Sequence, residues 1–285
     1  MSPRRAFALA ALLAVAAGCG EPVEPASRLE RPRVLGAVTS LPSDPANAAP
    51  GADDPIRVAI FTASRDAESG AFASHALRVC PSDMGTTDYV CGGPELPFRE
   101  DGRDPVITVE PVHASGELTI FGVMCATGTA TFDRTARAFR GTCDDGSHPA
   151  ELVVRVRVGG PPNKNPVVPD DAVKLDGAAL GPSARSGCDG AAPVRVRADG
   201  QKHALALAVP ASSVEPGDSF VLSHLATHGK LDRLYSTLDD ANAASVEWEA
   251  PGELSAPRET ARFHVVFRDG RGGVATTVAS ICLER

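Results

Sequence analysis

The sequence is poor in aromatic side chains: one tryptophan, two tyrosines and ten phenylalanines make up 5% of its 285 residues. That scarcity argues against a carbohydrate platform built from stacked rings. Basic excess is also missing, because 28 Lys and Arg stand against 36 Asp and Glu for a formal charge of −8, which removes the electrostatic basis for binding a phosphate backbone. No apolar run reaches the length of about 20 residues that crosses a bilayer as a helix. No Gly-x-Ser-x-Gly elbow, Gly-rich phosphate loop or Cys-x-x-Cys pair occurs; Gly181-Pro182-Ser183-Ala184-Arg185 fails the elbow at its last position. Hydrophobic residues nevertheless make up 43% of the chain, too many for a disordered acidic tail. A chain of this length folds into one or two domains that bury about 70% of their unfolded surface.

The first residues form an address. Arg4 and Arg5 precede the apolar stretch Ala6 to Val15, and small residues follow in Ala16-Ala17-Gly18-Cys19. Cations, a short apolar run and small residues are the three parts of a secretory signal. The last four residues resemble the bacterial lipoprotein cleavage box, with Ala16 where Leu is favoured, and the resemblance implies that Cys19 is lipidated and begins the mature chain. Cysteine arithmetic agrees. Of seven cysteines, Cys19 goes to the lipid and six remain, Cys80, Cys91, Cys125, Cys143, Cys188 and Cys282, an even number in an oxidising compartment. Gly20 lacks the acidic side chain that retains such proteins at the inner membrane, so the outer membrane is the expected location. Residues 20–32, with three prolines and five charges, read as a short stiff tether.

Beyond the tether, short β-branched or alternating runs recur between Gly, Pro, Asp and Asn. In Glu151 to Val158 the valines 154, 156 and 158 share one face and Arg155 and Arg157 the other, the period of a half-buried strand. Gly159-Gly160-Pro161-Pro162-Asn163-Lys164-Asn165-Pro166 breaks this pattern, after which the same grammar resumes to the end. The expected organisation is a signal peptide at 1–18, the lipidated cysteine and tether at 19–32, and two all-β sandwiches at 33–160 and 161–285. Only 231–244 is a candidate for a short helix.

The last hairpin, Phe263 to Ala275 with Asp269-Gly270-Arg271-Gly272-Gly273 at its turn, resembles the closing hairpin of bacterial Ig-like and cadherin-like domains. With Val246-Glu247-Trp248-Glu249-Ala250-Pro251 it is similar to the C-terminal domain of a group of bacterial envelope lipoproteins without an assigned activity. Arg33 to Val38, the Cys80 to Cys91 loop, Phe121 to Cys125, Cys143 to Gly146 and Asn163 to Pro166 resemble that group too. The group often has an aromatic before the first cysteine of the loop, where Ala76-Leu77-Arg78-Val79 stand here. The resemblance implies two tandem Ig-like β-sandwiches and carries no catalytic residue.

Six cysteines permit 15 pairings. Their arrangement suggests Cys80 with Cys91, Cys125 with Cys143, and Cys188 with Cys282, each within one unit; spacings of ten or more residues argue against a metal site. His224 and His228 have the spacing of a zinc helix but lack the adjacent Glu, and their setting after Phe220-Val221-Leu222 reads as a strand whose polar residues lie on a wet surface. The acid pairs Asp53-Asp54, Asp144-Asp145, Asp170-Asp171 and Asp239-Asp240 read as surface turns, with Asp170 and Asp171 the first candidates for calcium. Asp269 is expected to satisfy its own turn amides, and Trp248 to anchor a core. No cofactor, catalytic residue or nucleic acid is expected. The expected role is non-enzymatic: presenting Ig-like domains to an envelope protein or extracellular polymer, anchored to the membrane by lipid. Binding of a ligand or glycan as part of an envelope complex is the alternative, and hydrolysis ranks third, requiring two of His203, His224, His228 and His264 in one pocket beside a carboxylate.

Overall fold

The computed structural model describes residues 27–65, 72–82, 91–101, 105–113, 116–132, 140–215 and 218–285. The fold is all-β, with a single four-residue α-helix among the described residues, α1 (Ser183–Ser186). Seven strands form the first sandwich. β1 (Arg33–Ser40), β2 (Ile56–Ala63), β5 (Val106–Val109) and β4 (Phe98–Glu100) make one antiparallel sheet in the order β1-β2-β5-β4, and β3 (Ser74–Pro81), β6 (Gly116–Cys125) and β9 (Ala150–Val158) make the other in the order β3-β6-β9. Counted along the chain, these are strands A, B, E and D facing C, F and G, the topology of a seven-stranded immunoglobulin domain.

Alternation explains the core. Ile56, Val58 and Ile60 on β2 and Ile107 and Val109 on β5 meet Leu118, Ile120 and Met124 on β6 and Val156 and Val158 on β9. Leu77 and Val79, ahead of Cys80 on β3, belong to the same core. Strand β6 is buried on both faces. Its outer residues Val123 and Cys125 lie under a hairpin of β7 (Ala130–Phe132) and β8 (Gly141–Cys143), inserted between F and G.

The second sandwich pairs two five-stranded sheets. One has the order β11-β10-β13-β17-β15, from β11 (Ala178–Ala179), β10 (Val173–Leu175), β13 (Lys202–Ala208), β17 (Ala243–Glu249) and β15 (Lys230–Leu231). The other has the order β12-β19-β18-β14-β16, from β12 (Arg195–Arg197), β19 (Val274–Glu284), β18 (Arg258–Arg268), β14 (Val221–Ala226) and β16 (Tyr235–Thr237). Strand β12 runs parallel to β19, so the first strand of the domain switches sheets between β10 and β12. Trp248 is fully buried between the sheets, edge-on to Phe263 with ring centroids 5.1 Å apart, and its indole N–H donates to the His228 carbonyl at 2.9 Å. Segment 231–244 is not helical. Asp232 accepts the Glu247 amide, Asp239 accepts the amides of Ala241 and Ala243, and positive φ at Asn242 turns the chain into β17. These side-chain bonds give the backbone a turn instead of a helix.

The two sandwiches touch along a broad seam. Arg268 on β18 donates to Ser223 Oγ at 2.8 Å and across the seam to the Leu35 carbonyl of β1 at 3.0 Å, passing over Gly36, where a Cβ would stand 3.2 Å from its guanidinium. Asn165 clips both sides, donating to the Thr39 carbonyl at 2.8 Å and accepting the Val274 amide at 3.0 Å. The tether is part of the seam as well. The Leu29 amide donates to Ala226 and the Ala226 amide to Ser27, while the Leu29 side chain packs with Ala63 and Leu225.

Candidate functional site

Three disulfides join Cys80 to Cys91, Cys125 to Cys143 and Cys188 to Cys282, the pairs that the arrangement of cysteines suggests. The first ties the end of β3 to the loop after it, the second fastens the β7–β8 hairpin to β6, and the third staples the segment carrying α1 onto the outer face of β19. Cys19 and the signal segment lie outside the described residues.

Asp269 behaves as expected and does more. Its Oδ1 accepts the amides of Arg271 and Gly273 inside the turn, and its Oδ2 accepts Asn163 Nδ2 at 2.8 Å from the interdomain segment. Of the paired acids, Asp54 accepts the Gly51 amide and Asp145 that of Ser147 in local turns, Asp144 accepts the Thr129 amide, and Asp53 lies 3.0 Å from His113 Nδ1. Among the described residues no three His, Cys, Asp or Glu side chains converge as a set of metal ligands.

The histidines are not on a wet surface. Leu222, His224 and Ala226 share the inner face of β14, so His224 is fully buried, its Nε2 2.6 Å from Ser236 Oγ, and burial pulls its pKa down to about 4. His264 sits on the outer face of β18, directly opposite Leu225, and only 1% of it is exposed, beneath the seam. Neither of its ring nitrogens has a hydrogen-bond partner among the described residues, and burial, helped by the neighbouring Arg262 charge, pulls its pKa down to about 4.

His228 follows β14 and opens on a cleft of about 530 Å3 at the seam, lined also by Arg65, Ser255, Glu259, Thr260 and Arg262. Glu259 is the centre of its bonding. Oε1 accepts Ser255 Oγ–H at 2.5 Å and the Ala256 amide at 2.8 Å, and Oε2 lies 2.7 Å from His228 Nε2. The Ser255 hydroxyl first, then the Ala256 amide and His228, hold its carboxyl at about 2 against the opposing effect of burial. An ionised carboxylate only accepts, so Nε2 of His228 carries the proton. Burial keeps the imidazole neutral, which leaves Nδ1 as an acceptor for the Thr227 hydroxyl at 2.9 Å. Thr227, His228 and Glu259 thus form a relay in the order hydroxyl, imidazole, carboxylate. Thr227, however, is only 1% exposed, and its hydroxyl also accepts the Arg262 amide. A nucleophile must reach its substrate, so the relay fixes a tautomer and does not present a reactive oxygen.

A second cavity of about 400 Å3 lies on the β13–β17 face beside His203, whose Nδ1 is 2.7 Å from Asp176 Oδ2. Among the described residues, each of these cavities holds one histidine beside a carboxylate and neither holds two. Several sheet edges are blunted, though β1 and β9 of the first sandwich are long outer strands. The β3 carbonyls of Val79 and Pro81 accept the Leu96 and Gly92 amides, and the outermost strands of the second sandwich, β11, β15, β12 and β16, are two or three residues long. Short and covered edges resist the addition of a further strand.

No family model and no curated protein matches the chain. Solved structures overlap with it at low similarity. They include the D0–D1 domains of intimin at 10% identity, covering 87% of this chain and 98% of that one with a TM-score of 0.24. The adhesin InvE of Yersinia pseudotuberculosis overlaps at 11% identity, covering 88% of this chain and 58% of that one with a TM-score of 0.24. The titin domains z1z2 overlap at 8% identity, covering 90% and 98% with a TM-score of 0.20. At such scores the overlaps carry no argument about function; the immunoglobulin topology rests on the strand order of the chain itself. No helix among the described residues is long and apolar enough to cross a membrane.

Proposed function

We propose that the chain is a non-enzymatic envelope lipoprotein, anchored through Cys19 in the outer membrane, whose paired Ig-like sandwiches bind an envelope protein or extracellular polymer. The observation that carries this reading is the place of the tether. Ser27 and Leu29 are buried, and their backbone is bonded to the end of β14 within the seam. A free linker would let the domains swivel about the anchor. Here the few residues between Cys19 and Ser27, each spanning at most about 3.5 Å, limit how far the seam can stand from the lipid. Such a joint suits a body held close to the membrane for a partner. The buried Thr227 hydroxyl and the engagement of Ser255 with Glu259 favour binding over hydrolysis.

The cleft at Arg65 and His228 favours a second reading, in which the protein is the ligand- or glycan-binding member of an envelope complex, since its volume is that of a small-molecule site. Intact mass of membrane-extracted protein, with and without reduction and alkylation, tests the anchor: the expected mature chain starts at Cys19 with acyl mass and takes up six alkyl groups only after reduction. An unlipidated chain, or alkylation before reduction, would overturn the lipoprotein reading.

A further inference from the structure

Two buried histidines stand on neighbouring strands and belong to different interiors. In the β14–β18 register His224 is opposite Val265 and His264 is opposite Leu225. Successive residues of a strand alternate faces, so His224 points between the sheets of the second sandwich and His264 points out of it. The surroundings of His264 are those of the seam. Leu225 packs with Leu29 of the tether and with Ala63 at the end of β2. Two residues before His264, Arg262 Nη1 donates to the Arg65 carbonyl at 3.3 Å; two residues after it, Val266 Cγ1 lies 3.8 Å from the place of a Cβ on Gly36 of β1. An outer-face ring thus becomes 1% exposed because the tether and the first sandwich close over its strand. Each of the three disulfides lies within one sandwich, so among the described residues the seam is closed by noncovalent contacts.

We propose that the seam is an acid-opened joint, in which protonation of His264 separates the tether and the first sandwich from the face of β18 while both sandwiches stay folded. A charged imidazole in the closed seam would bring two N–H donors to a site where neither ring nitrogen has an acceptor among the described residues. Burial first, and then the Arg262 charge, disfavour that form. Among the described residues, the other charged side chains along this part of the seam are Arg28 and Glu30 of the tether, ion-paired with each other at 2.9 Å, Arg33 on β1, Arg65 after β2 and Arg268 on β18. His228 and Glu259 are bonded to each other beyond the end of β14, and β19 sets the uncharged Val278 opposite His264. Opening gives His264 water while leaving the strand pairs of β18 intact, whereas His224 reaches water only if the second sandwich itself comes apart. The sign follows from the closed-state depression: the closed seam is favoured fully above about pH 6.5 and loses ground as pH falls towards 4. The inference requires neither the lipid nor a ligand in the cleft.

The test follows the purified protein from pH 7 to 4.5 by small-angle X-ray scattering, by hydrogen exchange at the Leu29 amide, which bonds Ala226 across the seam, and by the emission of Trp248 inside the second sandwich. The radius of gyration is expected to rise and the Leu29 amide, relative to its intrinsic rate, to exchange about fiftyfold faster, the ratio for one proton taken up with affinities of about 4 closed and 6.5 open. Trp248 emission is expected to stay that of a buried indole until a lower pH. His264→Leu and His264→Gln stay neutral throughout, and both are expected to abolish the rise; the pair is used so that a packing fault in one does not decide the matter. His224→Gln is expected to keep the response of the seam. Opening that persists in both His264 variants, a seam in the unaltered protein that stays closed to pH 4.5, or a Trp248 shift at the same pH as the change in scattering would overturn the proposal, the last by showing that acid unfolds the sandwich instead of opening the joint.

Discussion

Asn163 donates its side-chain N–H to the carboxylate of Asp269 at 2.8 Å across 106 residues of sequence, and both side chains are buried. The bond holds the segment between the sandwiches against the closing turn of the second. Removing one partner leaves the other buried and unsatisfied. Asn163→Ala is expected to lower unfolding stability by about 2 kcal/mol, and Asp269→Ala by more because two turn amides also lose their acceptor. A double-mutant cycle by chemical denaturation measures the coupling, and additive losses would mean that the bond contributes nothing of its own.

Acid should loosen the protein in a defined window. His224 and His264 titrate at about 4 in the folded chain against an ordinary value of 6.5, so the unfolded state binds more protons between those limits. Stability is therefore full above about pH 6.5, falls as pH drops towards 4, and is not reduced further by these groups below that. A depression of this size corresponds to about 3 kcal/mol for each buried ring. His264→Leu places an apolar side chain opposite Leu225 and should flatten the slope of stability against pH over this window. An unchanged slope in denaturation curves at pH 7, 5.5 and 4.5 would show that the ring is not a source of it.

The Cys188–Cys282 bridge spans a separation of 94 residues, against 11 and 18 for the other two. Chain-entropy reasoning gives about 4 to 5 kcal/mol for a loop of that length and about 3 kcal/mol for the short ones. Replacing both cysteines by Ala should cause the largest loss of stability among the three paired substitutions. It should also raise hydrogen exchange at the Ser280 amide, which bonds Gly181 under the stapled segment. Unaltered exchange there would mean that packing alone holds α1 against β19.

Gly229 turns the chain after His228 at φ +74°, and a Cβ there would run into the Glu249 carbonyl and the Trp248 indole nitrogen. Gly229→Ala is expected to cost about 3 kcal/mol, through the strained backbone angle together with the displaced indole. Trp248 is the sole tryptophan, so its fluorescence reports the event directly. An emission maximum and denaturation midpoint equal to those of the unaltered protein would contradict the assignment.

Parts of both sandwiches are legible in the sequence because their signals are local. The alternation of Glu151 to Val158 marks a strand, Asp269-Gly270 marks a hairpin, and a sole tryptophan in an Ig-like setting marks a core. The amide clips Asn163 and Asn165 are not legible, since Asn-Lys-Asn-Pro reads as a break and its partners lie more than a hundred residues away. His224 shows a neglected local signal: its period-two relation to Leu222 and Ala226 already puts it on the core face. His264 shows the opposite. It stands on an outer face by alternation, and only the arrival of the tether and the first sandwich turns that face into an interior. Glu259 is not legible as the centre of the cleft, because nothing in Arg-Glu-Thr-Ala announces a carboxylate that gathers Ser255 and His228.

The pairing of residues 27 to 29 with the end of β14 also determines how the molecule carries force. A pull on the chain from before Ser27 does not first peel β1 from β2. It loads the Ser27–Ala226 and Leu29–Ala226 bonds in shear, because the bridge at Arg28 and Ala226 is parallel, and passes the tension into β14 and the long β18 beside it. The second sandwich thus stands directly in the line of tension, while the first hangs beside that line, sheltered until the bridge yields.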